Sequence, residues 1–223
     1  MAAEHNISYE VIRSKRKTLA LSVNTEAHVI VRAPLLLPDE KIRSFVQEKH
    51  PWIMRKQEEM REKTALHSPI TLAENERLCY RGKPYTVLRR QARCITLEGD
   101  YIVVPQDMTL DTFTLWMKAQ ARATIAECVE FYALLMNVQY ASIRISSARS
   151  RWGSCGAGNT LNFTWRLIMC PDWIIEYVVV HELAHITEKN HSTRFWSLVG
   201  QHFPNYGNAK QWLRTNNRLM DVL

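Results

Sequence analysis

Two hydrophobic rhythms alternate along the chain. Residues 18–23 and 28–32 alternate apolar and polar side chains around Asn24-Thr25-Glu26, which predicts a β-hairpin. Ala33-Pro34 ends it, and Pro38-Asp39 opens a helix with apolar positions at Ile42, Phe45, Val46 and Ile53, Pro51 marking a kink or restart. The rhythm then recurs. Residues 78–80 and 85–88 read as strands joined through Arg81-Gly82-Lys83-Pro84. Residues 94–97 and 101–104 read as a hairpin about Glu98-Gly99-Asp100, closed by Pro105. A long helix follows from Leu110-Asp111 to about Met136, with apolar residues at Phe113, Trp116, Met117, Ala121, Ile125, Cys128, Val129 and Tyr132. Hairpin, proline and helix thus occur twice, as an ancient duplication or as common structural grammar.

In the second half, residues 141–145 and 160–167 read as strands on either side of a polar segment and a turn at 156–159. Cys170-Pro171-Asp172 starts a helix, with Asp172 as N-cap, that runs to about Glu188. Ser192 caps a short helix through Phe195, Trp196 and Val199, and residues 208–220 form a terminal helix.

Composition narrows the class without deciding it. At 223 residues, 46% hydrophobic and 23% charged, the chain has the make-up of a globular protein with a sizeable core. A net charge of +7 favours anionic partners, against the plainer reading of a solvated basic face. Five cysteines without a CxxC pair argue against a disulfide framework and against a cysteine-rich zinc ribbon, and fit a reducing cytoplasm. Residues 1–17 carry charge from Glu4 onward and resemble no signal peptide, and the apolar stretch 173–180 is too short to span a bilayer. The expectation is a cytoplasmic protein with no membrane partner.

The candidate chemistry is concentrated in His181-Glu182-Leu183-Ala184-His185. Residues four apart share a helix face, so His181 and His185 can present two imidazole nitrogens to one ion, and Glu182 sits close enough to act as base toward a coordinated water. The preceding Ile174, Ile175, Val178, Val179 and Val180 drive this helix into the core, where an unligated histidine pair beside a carboxylate would be costly. The third ligand has two candidates. A continuous helix would return Glu188 to the same face, whereas the five residues between His185 and His191 match the metzincin spacing, in which the chain turns and swings a third histidine back. His191 is preferred, with Glu188 behind it; the glycine of that signature is missing, so Asn190 is expected to take a left-handed conformation. The other histidines, His5, His28, His50, His67 and His202, have no partner at ligand spacing.

Arg151-Trp152-Gly153-Ser154-Cys155, Leu161-Asn162, the segment from Tyr177 to His185, and Asn190-His191-Ser192 followed by Phe195-Trp196 together resemble the YgjP-like family of metal-dependent hydrolases, within the SprT-like and WLM-like group of zincin metallopeptidases. Ser14-Lys15-Arg16-Lys17-Thr18 is similar to that family's opening. The resemblance implies an α+β fold with a zincin-like core, the HExxH helix packed on a small sheet, after an N-terminal hairpin and helix region; the expected division is 1–106 and 107–223. It also implies one Zn2+, or another divalent ion, held by His181, His185 and His191.

Arg151, Trp152, Ser154 and Asn162 are the candidate substrate-binding residues, on a segment that reads either as an edge for an extended peptide or as a tight hairpin packed on the helix. Cys155 is better read as a structural thiol than as a fourth ligand. The leading expectation is a zinc metallopeptidase. A second reading is hydrolysis of a nucleotide phosphoanhydride, with Arg149, Arg151 and Arg166 on the phosphates. A third is nucleic-acid association through the basic surface.

Overall fold

A computed structural model describes residues 7–24, 26–66 and 69–222, leaving aside the side chains of 62–66; His5, Thr25 and His67 lie outside it. Its contacts divide the chain into two compact units, 1–66 and 67–223. The expected boundary near 106 assigns residues 67–106 to the N-terminal region, whereas their sheet packs in the same unit as the HExxH helix.

The first unit holds β1 (Tyr9–Ser14), β2 (Ala20–Val23), β3 (Val29–Pro34), α1 (Asp39–Glu48) and α2 (His50–Leu66). The hairpin of β2 and β3 is as expected, but β1 adds alongside β3 in parallel, with Tyr9 opposite Val29. Residues 9–14 carry little burial, so their pattern gives no clear strand signal. Val29, Val31 and Ala33 alternate inward to meet Ile42, Val46 and Ile53. The helix breaks at Lys49 and restarts at His50, beside Pro51.

The second unit opens with β4 (Arg77–Tyr80), β5 (Lys83–Arg90), β6 (Thr96–Glu98) and β7 (Tyr101–Pro105), in the sheet order β4-β5-β7-β6. Helix α3 (Leu110–Leu135) follows, capped by Thr109, whose hydroxyl accepts from the Thr112 N–H at 3.2 Å. Its buried stripe is Phe113, Met117, Ala121, Ile125 and Val129. Each such apolar side chain larger than alanine contributes about 1.5–3 kcal/mol by leaving water.

A third sheet contains β8 (Ser142–Ser146), β9 (Gly153–Cys155) and β10 (Thr160–Thr164), ordered β8-β10-β9. The expected strand through Leu167 stops at Thr164 and continues as a 3-10 turn, Trp165–Met169, every residue of which is buried. Helix α4 (Asp172–Thr187) carries the HExxH segment, followed by α5 (Thr193–His202), α6 (Tyr206–Thr215) and a 3-10 turn at Asn217–Asp221 in place of one continuous terminal helix. Three consecutive valines are poor helix formers, yet α4 is helical because it is surrounded by core on nearly all sides and tertiary burial outweighs propensity. Pro171, not Asp172, is its N-cap. Asp172 instead forms a two-pronged pair with Arg81, both contacts at 2.8 Å. Arg81 N–H donates to the Ile168 carbonyl and Gly82 N–H to that of Met169, at 2.7 and 3.1 Å, so the β4–β5 turn clasps the chain just before α4. Gly82 has φ +74°, and a Cβ there would stand 2.6 Å from Pro171 Cγ. Among the described residues no helix is long and apolar enough to cross a membrane.

Candidate metal centre

His181 and His185 project from one face of α4, and the turn after it returns His191 to them. Helix α4 stops because Glu188 leaves helical geometry at φ −117° and ψ 102°, while its N–H still closes the last turn onto Ala184. The Glu188 carbonyl is thereby turned back to His185 Nδ1, at 3.0 Å. A carbonyl only accepts, so Nδ1 carries the proton and Nε2 keeps a free lone pair. Asn190 does not take positive φ. The turn is made by extended backbone at Glu188, a conformation open to any residue, and so no glycine is needed.

The ring nitrogens of His181, His185 and His191 lie within 4.8 Å of one another, forming the one group of metal-ligating type among the described residues. His181 Nε2 and His191 Nε2 stand 3.0 Å apart. The Glu188 carboxylate and the Cys155 thiol are outside the group. His181 is held neutral: burial first, then the neighbouring histidines and Lys210, push it down to about 3. His185 is lowered as well, chiefly by burial, with the Glu188 carbonyl opposing. His181 Nδ1 is buried without a hydrogen-bond partner. Neutral rings that converge nitrogen on nitrogen, with no carboxylate oxygen in the group, fit a divalent cation better than they fit one another.

Phe195 forms the floor. Its ring lies 4.9, 4.5 and 4.7 Å from those of His181, His185 and His191, and it is fully buried. Ser192 caps α5 through the Phe195 N–H at 3.3 Å, as expected, and this fixes where that ring enters. Trp196 stacks on His191 at 5.6 Å and on Tyr206 at 5.2 Å, with Lys210 Nζ 4.0 Å over its indole. His191 is exposed, so this stack supports the ring that the core does not. The sequence reading placed Phe195 and Trp196 on this short helix and among the residues that carry the resemblance, without a role at the site; their spacing from His191 was the available clue.

Glu182 is 5% exposed. Burial raises it to about 8, against the lowering effects of the Cys155 backbone hydrogen bond and the Arg151 charge. Gly153 lies directly against it. Alternation along β9 turns Ser154 to the opposite face, where it pairs in register with Asn162, whose amide donates weakly to the Ser154 carbonyl at 3.5 Å. Of the four residues expected to meet substrate, Ser154 and Asn162 therefore point away from Glu182. Arg151 is exposed and acts on Glu182 electrostatically, and Trp152 packs half-buried against the core. Arg166 is 2% exposed, its guanidinium donating to the Ser147 carbonyl and lying over Trp165. Its expected role on a phosphate is overturned: the buried 3-10 turn carries it into the core.

The model of the YgjP-like metallopeptidase domain matches residues 17–216. This chain belongs to that family. Membership makes it a metal-dependent hydrolase of the metallopeptidase kind. No curated protein matches the chain. Among solved structures it is similar in part to the metallopeptidase zymogen abylysin of Pyrococcus abyssi, at 20% identity and TM-score 0.39 over 41% of this chain and 92% of that one. It is also similar to the zymogen jannalysin of Methanocaldococcus jannaschii, at 18% and 0.38 over 41% and 94%. In this YgjP-like chain, the aromatic rings that pack on the three histidines, among the described residues, come from α4 and α5: Tyr177, Phe195 and Trp196.

Proposed function

We propose that the chain is a zinc peptidase in which His181, His185 and His191 hold the ion and Glu182 is the general base. The observation that carries this reading is the convergence of three imidazoles beside a buried carboxylate. Three neutral nitrogen ligands leave positions open, as catalytic zinc requires. The ion, when bound, supplies Lewis acidity to water and to the scissile carbonyl. Glu182 takes a proton from the attacking water as the new C–O bond forms, and returns it to the leaving amine as the C–N bond breaks. A carboxylate raised by burial is a stronger base than one in water, and a cation beside it offsets part of that rise. The outer edge of β9, next to Glu182, is where an extended peptide can lie.

The nucleotide reading keeps Arg149 and Arg151 but loses Arg166 to the core. Metal analysis of the purified protein, with hydrolysis of a denatured-protein panel and a nucleoside triphosphate panel, separates the two. Peptide cleavage at one zinc per chain is expected. Turnover of nucleotides alone would overturn the peptidase reading, and a protein that takes up no divalent ion would overturn the metal centre.

A further inference from the structure

Helix α4 and strand β9 meet where the chain has no side chain. A Cβ built on Gly153 would lie 2.7 Å from both Cγ and Oε1 of Glu182 and 2.9 Å from its Cδ, closer than real Cβ contacts allow. Gly153 does not have positive φ, so its backbone makes no demand for glycine. The demand comes from the Glu182 side chain. The Cys155 backbone N–H is close enough to Glu182 to lower it against the effect of burial.

The hairpin explains why that N–H is available. Gly156 N–H donates to the Thr160 carbonyl at 2.9 Å and Thr164 N–H to that of Trp152 at 3.0 Å. Antiparallel pairing alternates, so the backbone groups of Gly153 and Cys155 face away from β10. Those groups are therefore not used by the sheet, and Glu182 packs against the strand at Gly153.

We propose that Gly153 is a positioning residue for Glu182: β9, bare at this point, forms a backbone socket that holds the carboxylate in one place. Arg151-Trp152-Gly153-Ser154-Cys155 is then part of the machinery that aims Glu182, not only a hairpin beside it. The inference rests on Glu182 being the base.

A Gly153→Ala substitution displaces the carboxylate, and a misplacement of about 1 Å costs on the order of 100-fold in rate. The expected result is a kcat lower by about 100-fold. KM and zinc affinity, measured by chelator competition, stay within about twofold because neither the ligands nor the peptide edge is removed. Thermal unfolding of the metal-free protein supplies the second measurement. Gly153→Ala lowers Tm in the native background but not in Glu182→Ala, where the added methyl group has room. A Gly153→Ala protein that folds only in the Glu182→Ala background also supports the socket.

Equal losses of Tm in both backgrounds, or failure to fold in both, would overturn it, since a demand of the strand itself is indifferent to residue 182. Failure of the base reading looks different. Coupled Tm values with full turnover in Glu182→Gln would leave the socket standing and remove Glu182 from catalysis. Loss of turnover in Glu182→Gln with unchanged kcat in Gly153→Ala would remove the positioning role alone.

Discussion

The sheet of the first unit and the sheet beside the candidate metal centre are built alike and edged differently. In each, the third strand inserts between the first two, parallel to the first and antiparallel to the second: β1-β3-β2 in one, β8-β10-β9 in the other. The sheet between them in sequence repeats this order with β5, β7 and β6. The pattern seen twice in the sequence thus extends to strand order and occurs three times. What differs is the edge strand. β2 carries Ala20, Leu21, Ser22 and Val23, of which Leu21 and Val23 pack on their own small core. β9 carries Gly153, which admits Glu182. A shared topology supplies a scaffold, and one missing side chain makes room for a buried carboxylate.

Substitutions in the two regions should therefore have unequal effects. The largest is expected at the ligands: His185→Ala removes the nitrogen whose tautomer the Glu188 carbonyl sets, and should abolish both zinc retention on gel filtration and peptide hydrolysis. Full zinc occupancy in that variant would mean that the centre lies elsewhere. Next is Glu182→Gln, expected to lower kcat by about 10²–10⁴-fold at unchanged zinc content.

The same substitution has a pH signature in the metal-free protein. Glu182 titrates near 8 when folded and at 4.5 by the ordinary value, so the folded state holds the proton more tightly. Its contribution to stability is complete below 4.5 and is lost as pH rises through 8. His181, lowered to about 3 from 6.5, works in the opposite sense, adding stability as pH rises from 3 to 6.5. Urea titrations should show native and Glu182→Gln proteins diverging only between about 4.5 and 8; parallel curves across that window would contradict the burial of an ionisable Glu182.

Trp196→Ala removes the stack under the exposed ligand and should weaken zinc binding by about 10-fold, the low end for groups that orient a ligand. Equilibrium competition against a chromophoric chelator would show it. The smallest effect belongs to the first unit. Ala27 sits at φ +61° in the β2–β3 turn, so Ala27→Gly should be neutral or stabilise that unit by up to about 1 kcal/mol, with no change in hydrolysis. A loss of activity there would show that the two units are coupled.

Much of this molecule is legible from residue order alone. Pro38-Asp39, Leu110-Asp111, Cys170-Pro171-Asp172 and Ser192 mark helix starts within a residue of their places, and the spacing of His181 and His185 needs only a helix to become a ligand pair. The signals fail where burial, not periodicity, decides. Strand β1 has neither a buried face nor a turn of its own and forms only because β3 offers an open edge. Residues 165–169 have the composition of a strand, yet they coil into a 3-10 turn packed among core residues.

By itself, the sequence determined the chemical inventory: two histidines and a glutamate on one helical turn, a third histidine six residues on, and a glycine in an otherwise polar segment. Only the tertiary structure decided how these meet. The backbone at Glu188 bends out of the helix and brings His191 back, the Phe195 ring gathers three imidazoles, and an edge strand distant in sequence closes on Glu182 at Gly153. Local spacing is fixed by covalent geometry, which the sequence carries in full. Contacts between distant segments depend on which surfaces bury together, and that is a property of the whole fold.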